Sequence, residues 1–219
     1  MSTKRSAAGA QAPWREVTLD GVRMAYDDEG AGPAVVCLHA IGHGAADFAG
    51  LRVRLRDRHR VLAPDWPGQG NSGKDALPPS AARYAALLAG FLDATGAGPA
   101  VIVGNSIGGA AAIAFTHAHP DRVRGIVLEN PGGLDPPDRL ARASIAMMVG
   151  FFSAGARGAW WYPAAFAAYY RMVLPRPAAA AQRRRIVASG REIAPLLRDA
   201  WRGFGAPAAD LRGAGSGNP

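Results

Sequence analysis

Residues 101–112 read Val-Ile-Val-Gly-Asn-Ser-Ile-Gly-Gly-Ala-Ala-Ala. A β-branched apolar run enters Gly104-Asn105-Ser106-Ile107-Gly108 and passes at once into an alanine-rich stretch. The first part has the composition of a buried strand and the last that of a helix, so the pentapeptide falls on a tight strand-to-helix turn. A serine hydroxyl is a poor nucleophile unless its setting helps it. Here Gly104 and Gly108, two before and two after the serine, relieve crowding and leave Oγ exposed, and the helix N-terminus behind it favours developing negative charge. Ser106 is therefore the candidate nucleophile. An ordinary glycine-rich βα turn is the plainer meaning of the pattern alone, and the flanking elements favour the nucleophile.

Outward from this turn, strand and helix patterns alternate. Residues 15–26, REVTLDGVRMAY, followed by the turn-rich DDEGAGP, suggest a hairpin that feeds the strand PAVVCL at 33–38. That strand and RVLAP at 60–64 are apolar on both faces, as parallel strands covered by helices on each side are. Helices are expected over 47–58 and 80–94, and from the serine to just before Pro120, with a further strand in VRGIVLENPGG. The fold class is α/β with a mainly parallel sheet flanked by helices. From about Leu134 to Gly203 only helical patterns occur, rich in aromatics, methionines and arginines. The expected organisation is a tail over 1–13, an α/β core over 14–133, a helical cap over 134–205 and an irregular end over 206–219.

Composition narrows the function. With 219 residues, 49% of them hydrophobic, the chain suits one domain. Its only cysteine, Cys37, sits in the apolar strand, which excludes an intrachain disulfide, points to packing and fits a reducing cytoplasm. The N-terminus has no apolar signal-peptide core, and the longest weakly polar stretches are 13 residues each, separated by Arg157, short of the ~20 that a membrane span needs. The net charge is +8, but the arginines are dispersed and no nucleic-acid partner is expected. The densest cluster, residues 182–185, is expected to be a solvated helix face. No cofactor or metal site is evident.

After the buried strand comes Leu38-His39-Ala40-Ile41-Gly42-His43-Gly44, a loop that can aim a backbone N–H at a reacting carbonyl. Together with DWPGQGNSG at 65–73 and GNSIGG at 104–109, it resembles the α/β-hydrolase superfamily, in the branch with an HG-type oxyanion loop and a helical cap. The resemblance spans Arg15 to Gly133 and extends more loosely through the cap; it departs at Ala40, where the family has glycine. It implies Ser106 as nucleophile, the backbone N–H groups of Ile41 and Ile107 as oxyanion hole, and a bracing role for His39. It also implies serine-hydrolase chemistry without a cofactor, carboxylesterase-like or cleaving carbon–carbon bonds, on a small apolar or aromatic acyl-type substrate. An acyltransferase or cofactor-free haloperoxidase on the same scaffold is the alternative.

The family's chain order of nucleophile, acid and histidine is not completed here. His117 and His119 follow Ser106 on the same helix, and at 1.5 Å per residue His117 lies roughly 16 Å away, beyond hydrogen-bond reach. No catalytic histidine is found; Glu129, after the next strand, is the one acid candidate. The expectation is a chain lacking the family's later strands, which leaves VRGIVLEN as an exposed sheet edge. A truncated product is favoured over a self-sufficient short protein. The competing function is a catalytically silent fragment, pseudoenzyme or binding protein.

Overall fold

Two strands, β1 (Arg15–Leu19) and β2 (Val22–Glu29), pair antiparallel across Asp20-Gly21. Both turn residues have positive φ, 47° and 77°, the backbone that a two-residue Asp-Gly hairpin requires. The computed structural model describes residues 14–133 and 137–205, so the expected tail over 1–13 and irregular end over 206–219 lie outside the described residues. β2 runs further than its composition suggests. Asp27, Asp28 and Glu29 belong to the strand and pair with β4, not with a turn. Arginines make this possible: Arg60 donates twice to Asp28 at 2.9 Å, Arg15 reaches the same carboxylate at 3.0 Å, and the buried Arg52 pairs with Asp27.

The remaining strands are β3 (Ala34–Leu38), β4 (Arg60–Pro64), β5 (Ala100–Asn105) and β6 (Val123–Glu129). The sheet order is β1-β2-β4-β3-β5-β6, with β4, β3, β5 and β6 mutually parallel. β3 shows the period of two: Val36 and Leu38 face one core, Val35 and Cys37 the other, where Phe48 and Val61 meet them. Burial pushes the Cys37 thiol up to about 12, so it behaves as an inert packing group.

Three helices flank the sheet: α1 (Ala49–Leu55), entered through a 3-10 turn at Ala45–Phe48, α2 (Ala81–Thr95) and α3 (Ile107–Ala118). Ser80 caps α2 by accepting the Arg83 N–H, and Gly96 ends it with φ 61°. β6 is the sheet edge among the described residues. Ile126 and Val127, neighbours on opposite faces, are 38% and 55% exposed.

Beyond the sheet lie α4 (Arg139–Ala156), α5 (Tyr162–Val173), α6 (Ala180–Ala188) and α7 (Gly190–Phe204). Phe152, Tyr162, Phe166 and Tyr170 fill the space between these helices, while Met147, Trp160 and Trp161 stay exposed. Gly190 is where Phe166 packs: a β-carbon there would lie 2.5 Å from the ring. The apolar cluster is continuous from Phe166 and Leu197 to Ile41, Trp66 and Ile107, so the helical layer rests on the carboxyl ends of the strands. No described helix is long and apolar enough to cross a membrane.

The arginine-rich turn at 182–185 is solvent-facing at Arg184 and Arg185, as expected, and half-buried at Gln182 and Arg183. Arg183 donates to the Leu174 carbonyl, and Gln182 and Arg185 reach the His43–Asp47 pair. The buried residue of α6 is their neighbour Ile186.

Candidate active site

Ser106 stands between β5 and α3 with φ 54° and ψ −117°, one of three described non-glycine residues at positive φ. Holding serine there costs of order 1–3 kcal/mol, and the cost persists only because its neighbours over-determine the bend. Those neighbours are visible. The Ser106 N–H donates to the Glu129 carbonyl at 3.0 Å, and its own carbonyl accepts from Ala110 at 3.0 Å and Gly132 at 3.4 Å. A β-carbon on Gly104 would lie 2.6 Å from the Gly109 α-carbon, and one on Gly108 would collide with the Leu38 carbonyl. The two elbow glycines thus let β5, α3 and the end of β3 approach backbone to backbone. The serine side chain makes no capping bond to its helix, which leaves Oγ available.

The loop after β3 lies beside this turn, since Leu38 pairs with Gly104 in parallel register. His39 is fully buried and both ring nitrogens are engaged: Nδ1–H donates to the Ala40 carbonyl at 2.8 Å and Nε2 accepts the Trp66 N–H at 2.9 Å. Burial lowers its pKa and keeps it neutral. It braces the loop and has no nitrogen free to take a proton. Ala40 is not among the described residues with positive φ, so the missing glycine costs the loop nothing. Gly42 does need its freedom, with φ 78° and its N–H bound to Gln69 Oε1 at 2.6 Å. Ile41, between them, is buried against the shared core, and Ile107 supplies the first N–H of α3, which has no acceptor within the helix.

Composition did not single out the polar groups that hold this loop under the helices. His43 Nδ1–H donates to Asp47 at 2.6 Å, and Arg185 of α6 donates to the other Asp47 oxygen at 3.0 Å. Burial is the largest single influence on Asp47 and would raise its pKa, but the hydrogen bonds from His43 and Gln182 together with the nearby histidines outweigh it and hold the carboxyl below its ordinary value. This cluster borders a cavity of about 300 Å³ whose wall includes Gln69, Arg185 and Glu192. Asp65 shapes its turn by accepting the Ala45 and Asn71 N–H groups. The i, i+4 spacing of His43 and Asp47 was the one sequence signal for the pair. Nothing local pointed to its partner on α6.

The other expected site residues separate from Ser106. Glu129 is tied to it by its backbone, but its side chain is exposed. His117 and His119 lie at the far end of α3, and His59 precedes β4 at the opposite end of the parallel strands. Among the described residues, no group of three or more His, Cys, Asp or Glu is placed to hold a metal.

Comparison with known proteins agrees with this architecture. Residues 33–166 match a family model described as the alpha/beta hydrolase fold. A 2-hydroxymuconate semialdehyde hydrolase of Pseudomonas putida is 33% identical over 167 residues, covering 73% of this chain and 53% of that protein. A 2-hydroxy-6-oxononadienedioate/2-hydroxy-6-oxononatrienedioate hydrolase of Burkholderia vietnamiensis is 38% identical over 133 residues, 56% of this chain and 46% of that one. The matches thus span about half or less of these curated relatives. The crystal structure of a hydrolase from Pseudomonas aeruginosa shares the fold with a TM-score of 0.73 at 22% identity, covering 95% of this chain and 76% of that chain. The strained serine turn, the braced loop beside it and the matched residues lead to one conclusion: the chain belongs to the α/β-hydrolase fold family.

Proposed function

We propose that the chain carries the nucleophile and oxyanion hole of a serine hydrolase acting on a small ester or on a carbonyl compound whose carbon–carbon bond is cleaved. The observation that carries this reading is the backbone of Ser106, φ 54° at the end of β5, beside the His39-braced loop. In the proposed reaction, Ser106 Oγ adds to the substrate carbonyl carbon as a base removes its proton. The carbonyl oxygen becomes an oxyanion that accepts from the Ile41 and Ile107 N–H groups. Removing one such donor typically costs about 100-fold or more in turnover. Collapse of the adduct expels the leaving group, and water then releases the acyl group. Hydrolases of hydroxy-oxo-dienoates among the relatives support the carbonyl class of substrate. Glu129 is the candidate acid, through its position at the carboxyl end of β6. We place the protein in the cytoplasm.

A second reading, a binding protein without turnover, is favoured by the histidines. His39 has both nitrogens engaged, His43 gives its Nδ1 to Asp47, and the other three stand away from the turn. A fluorophosphonate probe separates the two, because it labels a serine only where base and oxyanion hole are assembled. Labelling of the wild-type chain that disappears in Ser106→Ala supports the hydrolase. No labelling of the wild type supports the silent protein. Ester cleavage that survives Ser106→Ala refutes the nucleophile assignment.

A further inference from the structure

The weakly polar stretch at 158–170, too short to span a membrane, becomes the turn before α5 and most of that helix. Its inner face is accounted for: Tyr162, Phe166 and Tyr170 are buried, and the Tyr170 ring lies 6.3 Å from that of His43. The outer face carries Trp161, Ala164, Ala168 and Met172, at the three- and four-residue spacings that share one side of a helix. Arg171 is the one charge in the 12 residues of α5, so the helix is apolar almost all round. Such a helix is ordinarily buried, yet Met172 is 72% exposed and Trp160, in the turn before it, 87%.

Charge around this face has one sign. Between Asp138 and Glu192 the chain contains nine arginines and no Asp or Glu. Arg157, before the tryptophans, and Arg171 and Arg176, at the other end of α5, are all exposed. A second copy would bring the same arginines against themselves, with no carboxylate anywhere in α4, α5 or α6 to neutralise them. A nucleic-acid strand would pair with the two cationic ends but leave roughly 18 Å of nearly uncharged helix without phosphate contacts. An anionic bilayer surface meets both needs: its headgroups take the arginines and its interfacial layer takes the apolar side chains. Tryptophan favours that layer because its ring is amphipathic.

We propose that the outer side of α5, from Trp160 to Met172, docks on the surface of a bilayer containing anionic phospholipids, with the helix lying in the plane of the headgroups. The same helix then meets lipid on one side and, through Tyr170, the loop carrying Gly42 and His43 on the other. The proposal is independent of the chemistry assigned to Ser106.

The test floats the full chain with vesicles of phosphatidylcholine, alone or mixed with phosphatidylglycerol, and follows quenching of tryptophan fluorescence by brominated acyl chains. Wild-type protein is expected to bind the mixed vesicles, more weakly as salt rises, and to bind the neutral ones far less. Trp160→Ala and Met172→Glu should each weaken binding at least about tenfold. Arg171→Gln should weaken it about fivefold, the factor for one basic residue at such a surface. All three positions are exposed, so these changes leave stability nearly unaltered. Val53→Glu, at an exposed site on α1, should bind as the wild type does. Wild-type protein that stays unbound overturns the proposal, as does equal binding to neutral vesicles or quenching unchanged in Trp160→Ala. An equal loss in Val53→Glu overturns the assignment to α5. Binding of an oligothymidylate in place of vesicles, or a dimer in sedimentation that Met172→Glu breaks, gives the face to another partner and overturns it as well.

Discussion

Replacing Gly108 by alanine adds one methyl group at the point where the elbow touches β3. The added carbon would lie 2.7 Å from the Leu38 carbonyl carbon and 2.9 Å from the Leu38 β-carbon. Ordinary carbon contacts need about 3.5 Å or more, so α3 and the end of β3 must separate by roughly 0.5–1 Å. Overpacking of this kind costs about 1–3 kcal/mol. For a domain of this size that is roughly a 2–12 °C fall in Tm. The strain acts at the turn itself, because Ser106 and the Ile107 N–H move with the first turn of α3. A displacement approaching 1 Å at reacting groups costs about 100-fold in rate. The assay pairs urea denaturation with the rate of fluorophosphonate labelling. Gly50→Ala, in α1 with no atom within 4 Å of the added carbon, is the control; it should be neutral or gain about 0.4–1 kcal/mol. A Gly108→Ala protein as stable and as reactive as the wild type would refute the close backbone approach on which the site geometry depends.

Three further outcomes are expected. His39 has a folded pKa below its ordinary 6.5, so the unfolded chain binds the extra proton first and stability falls as pH drops below about 6.5; urea midpoints at pH 7.5 and 5.0 should show this slope, and His39→Asn, while less stable throughout, should lack that part of it. Asp47→Asn should free Arg185 and Gln182, cost roughly 0.5–1 kcal/mol because Arg185 is half exposed, and speed amide exchange in α6; unchanged exchange over residues 180–188 would mean that the ion pair does not hold the helix. Val127→Lys on the open edge should change stability by no more than about 0.5 kcal/mol and raise the concentration at which light scattering appears, and a lower onset would contradict its exposure.

Local chemistry carried most of the architecture. The two-sided burial of β3, the hairpin of β1 and β2, the helix that starts at Ser80 and the serine turn each depend on residues within a few positions of one another, so they were legible in the chain as written. The strand assignment of Asp27 to Glu29 was not, because the arginines that satisfy them are supplied by α1, β4 and the chain before β2.

The sequence by itself determined the alternation of strands and helices and the bend at 104–108. Tertiary structure alone decided that α7 rests on the loop carrying Ile41, that Arg185 crosses 138 positions to reach Asp47, and that a small cavity opens beside Ile107 among the described residues. Backbone propensity and side-chain periodicity act over one or two turns, and a sequence displays them directly. Ion pairs and cavities arise from surfaces that meet only after folding, and their partners leave no mark on each other's neighbourhood in the chain.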